Sequence, residues 1–269
     1  MNEQHDSRTQ PSPELPLRSR HGAASLVVKL IVCLATTLTL LGGSLDTIFY
    51  PQPARDVLMS SVEIAAAQKP APTPDDKLDR PTSNPYTGAL SIFEDPKREE
   101  RLQINRVMDV LKIKEGSAVA DIGAGSGWFS VRAARRVGNG GTVYAVDINQ
   151  DYLKYIEARA KKEDLPNIRT ILGKEDDPLL PAASTDAVLI LKTYHEIAEP
   201  LRLMRNLRAA LRPGALVGII DRNGRGDDHG LDQPVVVREL ERAGYALVES
   251  YDFVKPDGMD YFLVFRVKV

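Results

Sequence analysis

Short apolar runs alternate with amphipathic stretches through the C-terminal two-thirds of the chain. Runs rich in valine, isoleucine, leucine and alanine at 118–122, 143–147, 168–172, 187–191 and 216–220 have the length and side-chain type of buried strands. Between them, 129–137, 152–163 and 201–211 repeat apolar residues at helical spacing, and the last of these stops at Arg212-Pro213-Gly214. A further helix is predicted over 235–243, and 246–253 with 261–267 read as a closing hairpin around the turn at 255–260. Strand–helix–strand alternation predicts a mainly parallel α/β sheet with right-handed crossovers. A helical pattern also begins at Pro96, with Leu102, Val107, Leu111 and Ile113 among charges, placed to lie beside the sheet and cover its mouth.

The first 95 residues have another character. Residues 1–21 are polar, with Arg8, Arg18 and Arg20, and 22–45 are hydrophobic and uncharged apart from Lys29, with a few serines and threonines. The uncharged stretch 30–45 is short for a membrane span, which needs about 20 residues. Counting back to Ala23 reaches that length, with Lys29 snorkelling. The segment therefore reads as a cleaved signal peptide or a signal anchor, with the positive N-terminal side in the cytoplasm. Prolines punctuate 46–95, from Pro51 and Pro53 to Pro81 and Pro85, which marks a linker. The folded domain is expected over 96–269.

Composition narrows the chemistry. A net charge of -2 and a pI near 6.1 carry no whole-chain signature for nucleic acid. Cys33 is the single cysteine and lies in the apolar N-terminal segment, so the domain holds no disulfide framework, cysteine zinc cluster or cysteine nucleophile. Four histidines leave little room for a metal centre, and none is expected.

The stretch Asp121-Ile122-Gly123-Ala124-Gly125-Ser126-Gly127 joins the first predicted strand to its helix. Glycines there let the turn take unusual dihedrals and let a ligand approach the backbone. Asp147 ends the next strand, twenty residues past Gly127, where a carboxylate can accept hydrogen bonds from ribose hydroxyls. The dinucleotide fingerprint G-x-G-x-x-G differs: here the last glycine comes one residue early and an acid precedes the first by two. That acid repels a pyrophosphate but suits a ligand with an amino group and a sulfonium. With these motifs in this order, residues 98–269 resemble the class I S-adenosylmethionine-dependent methyltransferases.

The resemblance implies a Rossmann-like seven-stranded, mainly parallel sheet with helices on both faces and an antiparallel C-terminal hairpin. It implies S-adenosylmethionine as cofactor, its amino-acid part against Gly123, Ala124, Gly125 and Gly127, its ammonium or ordered waters at Asp121, and its ribose at Asp147 beside Ile148. Adenine recognition falls to Glu175 or Asp176, because Lys174 stands where many relatives carry the acid. After strand four, Lys192 borders the cofactor and Tyr194 and His195 face the methyl group. His195, with an ordinary pKa of about 6.5, is the natural general base. Tyr194 would stack on the cofactor or shape the acceptor pocket, and His229, in the polar loop after strand five, would join His195. Trp128 is expected to pack the helix start rather than stack on a ligand.

The function implied is methyl transfer to an oxygen, nitrogen or carbon of a small-molecule acceptor, by a domain tethered to or exported across a membrane, and not on nucleic acid. Export would separate the domain from the S-adenosylmethionine made inside cells, and the side of the membrane stays open, as does the oligomeric state. Two other readings stand beside it: a non-catalytic module that binds the cofactor or a nucleoside, and a nicotinamide-dependent oxidoreductase, which the glycine spacing disfavours.

Overall fold

The computed structural model describes Leu78 and residues 88–225 and 229–268. The polar start, the apolar segment 22–45 and nearly all of the linker lie outside these residues. No helix among the described residues is long and apolar enough to cross a membrane.

Seven strands form one sheet: β1 (Ala118–Ile122), β2 (Thr142–Asp147), β3 (Ile168–Leu172), β4 (Thr185–Leu191), β5 (Leu211–Asp221), β6 (Tyr245–Tyr251) and β7 (Tyr261–Val267). Their order is β3-β2-β1-β4-β5-β7-β6. Strands β1 to β5 pair in parallel, and β7 runs antiparallel between β5 and β6. All five residues of β1 are buried because helices cover both sheet faces at the centre, which is why the run is apolar throughout rather than alternating.

The helices are α1 (Arg98–Leu102), α2 (Ile104–Val110), α3 (Trp128–Val137), α4 (Gln150–Lys162), α5 (Pro200–Leu207) and α6 (Gln233–Arg242). Alternation along β2 shows the layering. Val143 and Ala145 pack in the clusters that hold α2, α3 and α4, while Tyr144 and Val146 pack in the one that holds α5 and α6. Asn149 caps α4 by accepting the Asp151 backbone N–H at 2.9 Å, and Arg159, Lys161 and Lys162 sit in its last turn, where the helix dipole favours positive charge.

Several boundaries differ from the sequence reading, each for a physical reason. The helix begun near Pro96 breaks at Gln103, which takes a left-handed φ of 52° and donates from Nε2 to the Phe253 carbonyl at 3.0 Å. The helix expected over 201–211 is α5 followed by a 3-10 turn, Arg208–Ala210. Strand β5 then starts at Leu211 and runs through Pro213, tolerated because the β4–β5 register shifts between Thr185 and Ala187. The turn before β7 is a 3-10 turn, Lys255–Asp257, and Asp257 receives Arg98 at 3.0 Å and Arg101 at 3.3 Å, which fastens α1 to the sheet.

The carboxyl ends of β1, β2, β4 and β5 share one edge of the sheet. The chain runs from β1 through β2 to β3 on one side and then crosses to β4 and β5 on the other side of β1, and a crevice at such a switch point is where open α/β sheets bind ligands.

Candidate active site

The loop after β1 is built by its glycines. Gly123, Gly125 and Gly127 have φ of 73°, 54° and 71°, the left-handed region that side chains resist. The N–H groups of Gly123 and Ala124 both donate to the Val146 carbonyl, at 2.8 and 3.0 Å, tying the loop to β2. A Cβ on Gly123 would fall 2.7 Å from Thr193 Oγ1, whereas one on Gly125 would meet nothing within 4 Å. The loop is therefore closed against β4 and open on its outer side, where a ligand can lie on the backbone.

Two acids flank it. Asp147 accepts the Gly125 N–H on Oδ2 and the Asn149 N–H on Oδ1, each at 2.9 Å. Burial raises its pKa against the pull of those N–H groups, and the Glu196 charge adds to the rise. Asp121 is 2% exposed and accepts the Ser130 hydroxyl at 2.6 Å. Burial outweighs that hydrogen bond, and with Asp147 nearby pushes its carboxyl up to about 7. A cationic amino group beside Asp121 would supply the counter-charge this buried acid lacks. Open backbone, a ribose-height carboxylate and a buried acid fit S-adenosylmethionine. Ile148, 53% exposed beside Asp147, offers an apolar surface at the same end.

A clamp that sequence reasoning missed closes the loop from the other side. Glu94, just before α1, accepts the Ser126 hydroxyl at 2.8 Å and both terminal nitrogens of Arg159. Arg159 also donates to the Ser126 carbonyl at 3.1 Å. No motif marks residues so far apart in sequence. Trp128 packs the start of α3 as expected, buried under the guanidinium groups of Arg98 and Arg132.

The adenine-side expectation divides. Glu175 is exposed, but Asp176 pairs with Arg202 of α5 at 2.6 Å and its carbonyl accepts from Asn206, so Asp176 is spent on docking α5. Lys192 is exposed with a left-handed φ of 54°, and its N–H donates to the Ile220 carbonyl at 2.7 Å.

After β4, a 3-10 turn, Tyr194–Glu196, points its members in different directions. Grouping Tyr194 with the histidines needs correcting. Its ring is fully buried in the core against α5 and α6, and its hydroxyl donates to Glu239 at 2.9 Å. A fully buried ring in that layer neither stacks on a cofactor nor lines an acceptor pocket. His195 and His229 do come together, with ring centroids 6.1 Å apart and planes at 85°. His195 is 1% exposed, and its Nδ1 lies 2.9 and 3.0 Å from the two carboxylate oxygens of Asp221 at the end of β5. A carboxylate only accepts, so Nδ1 carries the proton and Nε2 faces the cluster. Glu196 Oε1 lies 3.6 Å from His195 Nε2 and 3.8 Å from His229 Nδ1. Burial opposes charge on His195, but the hydrogen bond it donates to Asp221 and the nearby Glu196 prevail and hold its pKa up to about 9. Asp221 and Glu196 had no assigned role from sequence; the strand-end position of Asp221 was the available signal.

The comparisons with known proteins agree with this fold. A family pattern described as a methyltransferase domain matches residues 119–214, from β1 into β5. Nocamycin O-methyltransferase of Saccharothrix syringae is 30% identical over 114 residues, 42% of this chain and 41% of that protein. Demethylmenaquinone methyltransferase of Listeria welshimeri is 26% identical over 114 residues, 42% of this chain and 48% of that protein. The chain thus spans less than half the length of these curated relatives. A solved S-adenosylmethionine-dependent methyltransferase from Aquifex aeolicus superposes with a TM-score of 0.61 at 25% identity, over 66% of this chain and 96% of that one. Together with the strand order and the glycine loop, these matches show a methyltransferase domain over residues 119–214 on the class I fold, and they support S-adenosylmethionine as its cofactor.

Proposed function

We propose that the chain transfers a methyl group to a nucleophilic oxygen, nitrogen or carbon of a small molecule held between the β4 and β5 ends. One observation carries this reading. The open glycine loop with Asp147 and the His195–Glu196–His229 cluster share one sheet edge, close enough for the Glu196 charge to act on Asp147. Cofactor side and acceptor side thus meet at the switch point. The two curated relatives, by their names, methylate small molecules, which supports the acceptor class.

The cofactor brings a methyl carbon activated by its sulfonium. The protein's part is to align the acceptor, exclude water and manage the acceptor's proton. Asp147 and the loop backbone orient the cofactor, with Asp121 opposite its amino group. Asp221 fixes the His195 ring with Nε2 toward the acceptor. There the neutral form of the ring, whose share grows as pH rises toward about 9, takes the acceptor's proton, and the Asp221 and Glu196 carboxylates stabilise the imidazolium that results. His229 borders the same space from the β5 loop. We also place this domain, 96–269, behind a membrane-targeting segment at 22–45, on the strength of that segment's uncharged run alone.

Calorimetric titration of the full-length chain with S-adenosylmethionine and S-adenosylhomocysteine tests the reading. Micromolar binding is expected, weakened at least ~100-fold in Asp147→Ala, which removes an acceptor from ligand and loop alike. Methyl transfer in an acceptor panel should then depend on His195. Cofactor binding without turnover on any acceptor would favour the non-catalytic module.

A further inference from the structure

Only two of the chain's four histidines fall in the folded domain, thirty-four positions apart, yet they converge on one carboxylate. We propose that His195, Glu196 and His229 bind a divalent first-row transition metal, with one coordination position left open toward the acceptor. The ion deepens the function proposed above, and only its role in activating the acceptor rests on that reading; its binding does not.

The first argument is the state of His195. Its Nε2 is buried, without a hydrogen-bond partner, and aimed into the cluster. A buried polar atom left unpaired is destabilising, so it asks for a ligand. Asp221 already occupies Nδ1 and fixes the tautomer. A carboxylate behind an imidazole whose other nitrogen faces outward is the support found behind metal-bound histidines.

The second argument is distance. A proton shared along the cluster needs contacts near 2.8 Å. The actual separations are 3.6 Å from Glu196 Oε1 to His195 Nε2 and 3.8 Å to His229 Nδ1. All three ligand atoms lie within 4.8 Å of one another. Ligands about 2.0–2.2 Å from a tetrahedral ion stand roughly 3.3–3.6 Å apart, so two of the separations are nearly right for a metal and too long for hydrogen bonds. Closing the remaining gap takes a small movement of His229, the exposed member.

The third argument is backbone strain. His229 has a φ of 58°, unfavourable for a residue with a Cβ, and the flanking loop holds it there. Arg222 Nε donates to the His229 carbonyl at 3.1 Å, and the Leu231 N–H donates to the Arg222 carbonyl at 2.8 Å. Gly230 fits so closely that a Cβ would stand 2.7 Å from the Asn223 carbonyl oxygen. That strain places an imidazole opposite Glu196.

Donor chemistry then selects the ion. Two imidazoles and one carboxylate suit zinc, iron(II), cobalt or nickel, whereas calcium and magnesium ask for several oxygens. Three protein ligands leave a position where an acceptor hydroxyl could bind and lose its proton to solvent more readily, the ion then replacing the His195 Nε2 lone pair as the group that manages that proton.

The test uses the full-length chain stripped with chelator and titrated with Co²⁺, followed by visible absorption, and with Zn²⁺ by calorimetry. One equivalent should bind, Co²⁺ developing d–d bands. His229→Ala and Glu196→Gln, at accessible positions where folding survives, should each weaken binding at least tenfold. His5 and His21 remain in both variants, so unchanged affinity would assign the metal to them and overturn the proposal, as would the absence of a saturable site. S-adenosylmethionine titrated into the same stripped sample separates the two readings. Cofactor binding without metal binding overturns the metal site alone; metal binding without cofactor binding overturns the methyl-transfer reading alone.

Discussion

Gly123 and Thr193 are pressed together across the β1–β4 boundary. A Cβ on Gly123 would lie 2.7 Å from Thr193 Oγ1 and 2.8 Å from its Cβ. The cofactor loop and the acceptor loop are therefore in contact through a residue with no side chain, and a change at either reaches both.

Gly123→Ala should accordingly destabilise the domain by more than about 3 kcal/mol, combining overlap with Thr193 and the cost of a side chain at φ of 73°. Adding Thr193→Gly removes the overlap but not the dihedral cost. The pair should recover at least ~1 kcal/mol in a double-mutant cycle read by urea denaturation. Strictly additive effects would deny the contact.

Asp121 predicts a pH dependence. Its carboxyl, held up to about 7 by burial, sits above the ordinary value of about 4 in the unfolded chain. The folded state then binds the proton more tightly. Its contribution to stability is full below about pH 4 and lost as pH rises through about 7, with a slope of at most ~1.4 kcal/mol per unit. Without cofactor, Asp121→Asn should flatten this decline and raise Tm at pH 8. The same variant should weaken S-adenosylmethionine at least ~10-fold, since the ammonium loses its partner. Melting curves from pH 4 to 8, with and without cofactor, check both halves.

Breaking the clamp should loosen the loop. Arg159→Ala leaves a partly buried Glu94 without its bidentate partner and frees the Ser126 carbonyl. A loss of about 2 kcal/mol is expected, with weaker cofactor binding and faster proteolysis ahead of α1. Unchanged cofactor affinity would mean that the clamp holds only the N-terminal segment.

Tyr194→Phe separates core from chemistry. Removing the hydroxyl deprives buried Glu239 of one hydrogen bond and should cost about 1–2 kcal/mol in stability. Turnover per folded molecule should stay as in the parent. A collapse of kcat at full stability would return Tyr194 to the reacting centre.

These positions show what a linear reading can reach. The glycine loop, Asp121 and Asp147 were legible because a strand end, a tight turn and a helix start are adjacent in sequence, and each leaves its residue types in place. The strands were legible because a sheet covered on both faces needs unbroken apolar runs. Long-range pairing left no such trace. Glu94 reaches Arg159 across sixty-five positions, and Asp221 meets His195 across twenty-six. Tyr194 and His195 are neighbours in a 3-10 turn that sends one into the core and the other to the crevice, a division no periodicity encodes. The break at Gln103 is equally silent, since its cause is a carbonyl one hundred and fifty residues away.

The place of β7 bears on how the protein is made. It follows β6 in the sequence, yet it lies inside the sheet, between β5 and β6. Until it emerges, the parallel half can assemble with its glycine loop formed, but β5 presents a bare row of N–H and C=O groups from Val217 to Asp221. That interval is when a nascent chain is most exposed to pairing with a second copy of itself. The parallel, ligand-binding half thus precedes in synthesis the strand that covers its β5 edge.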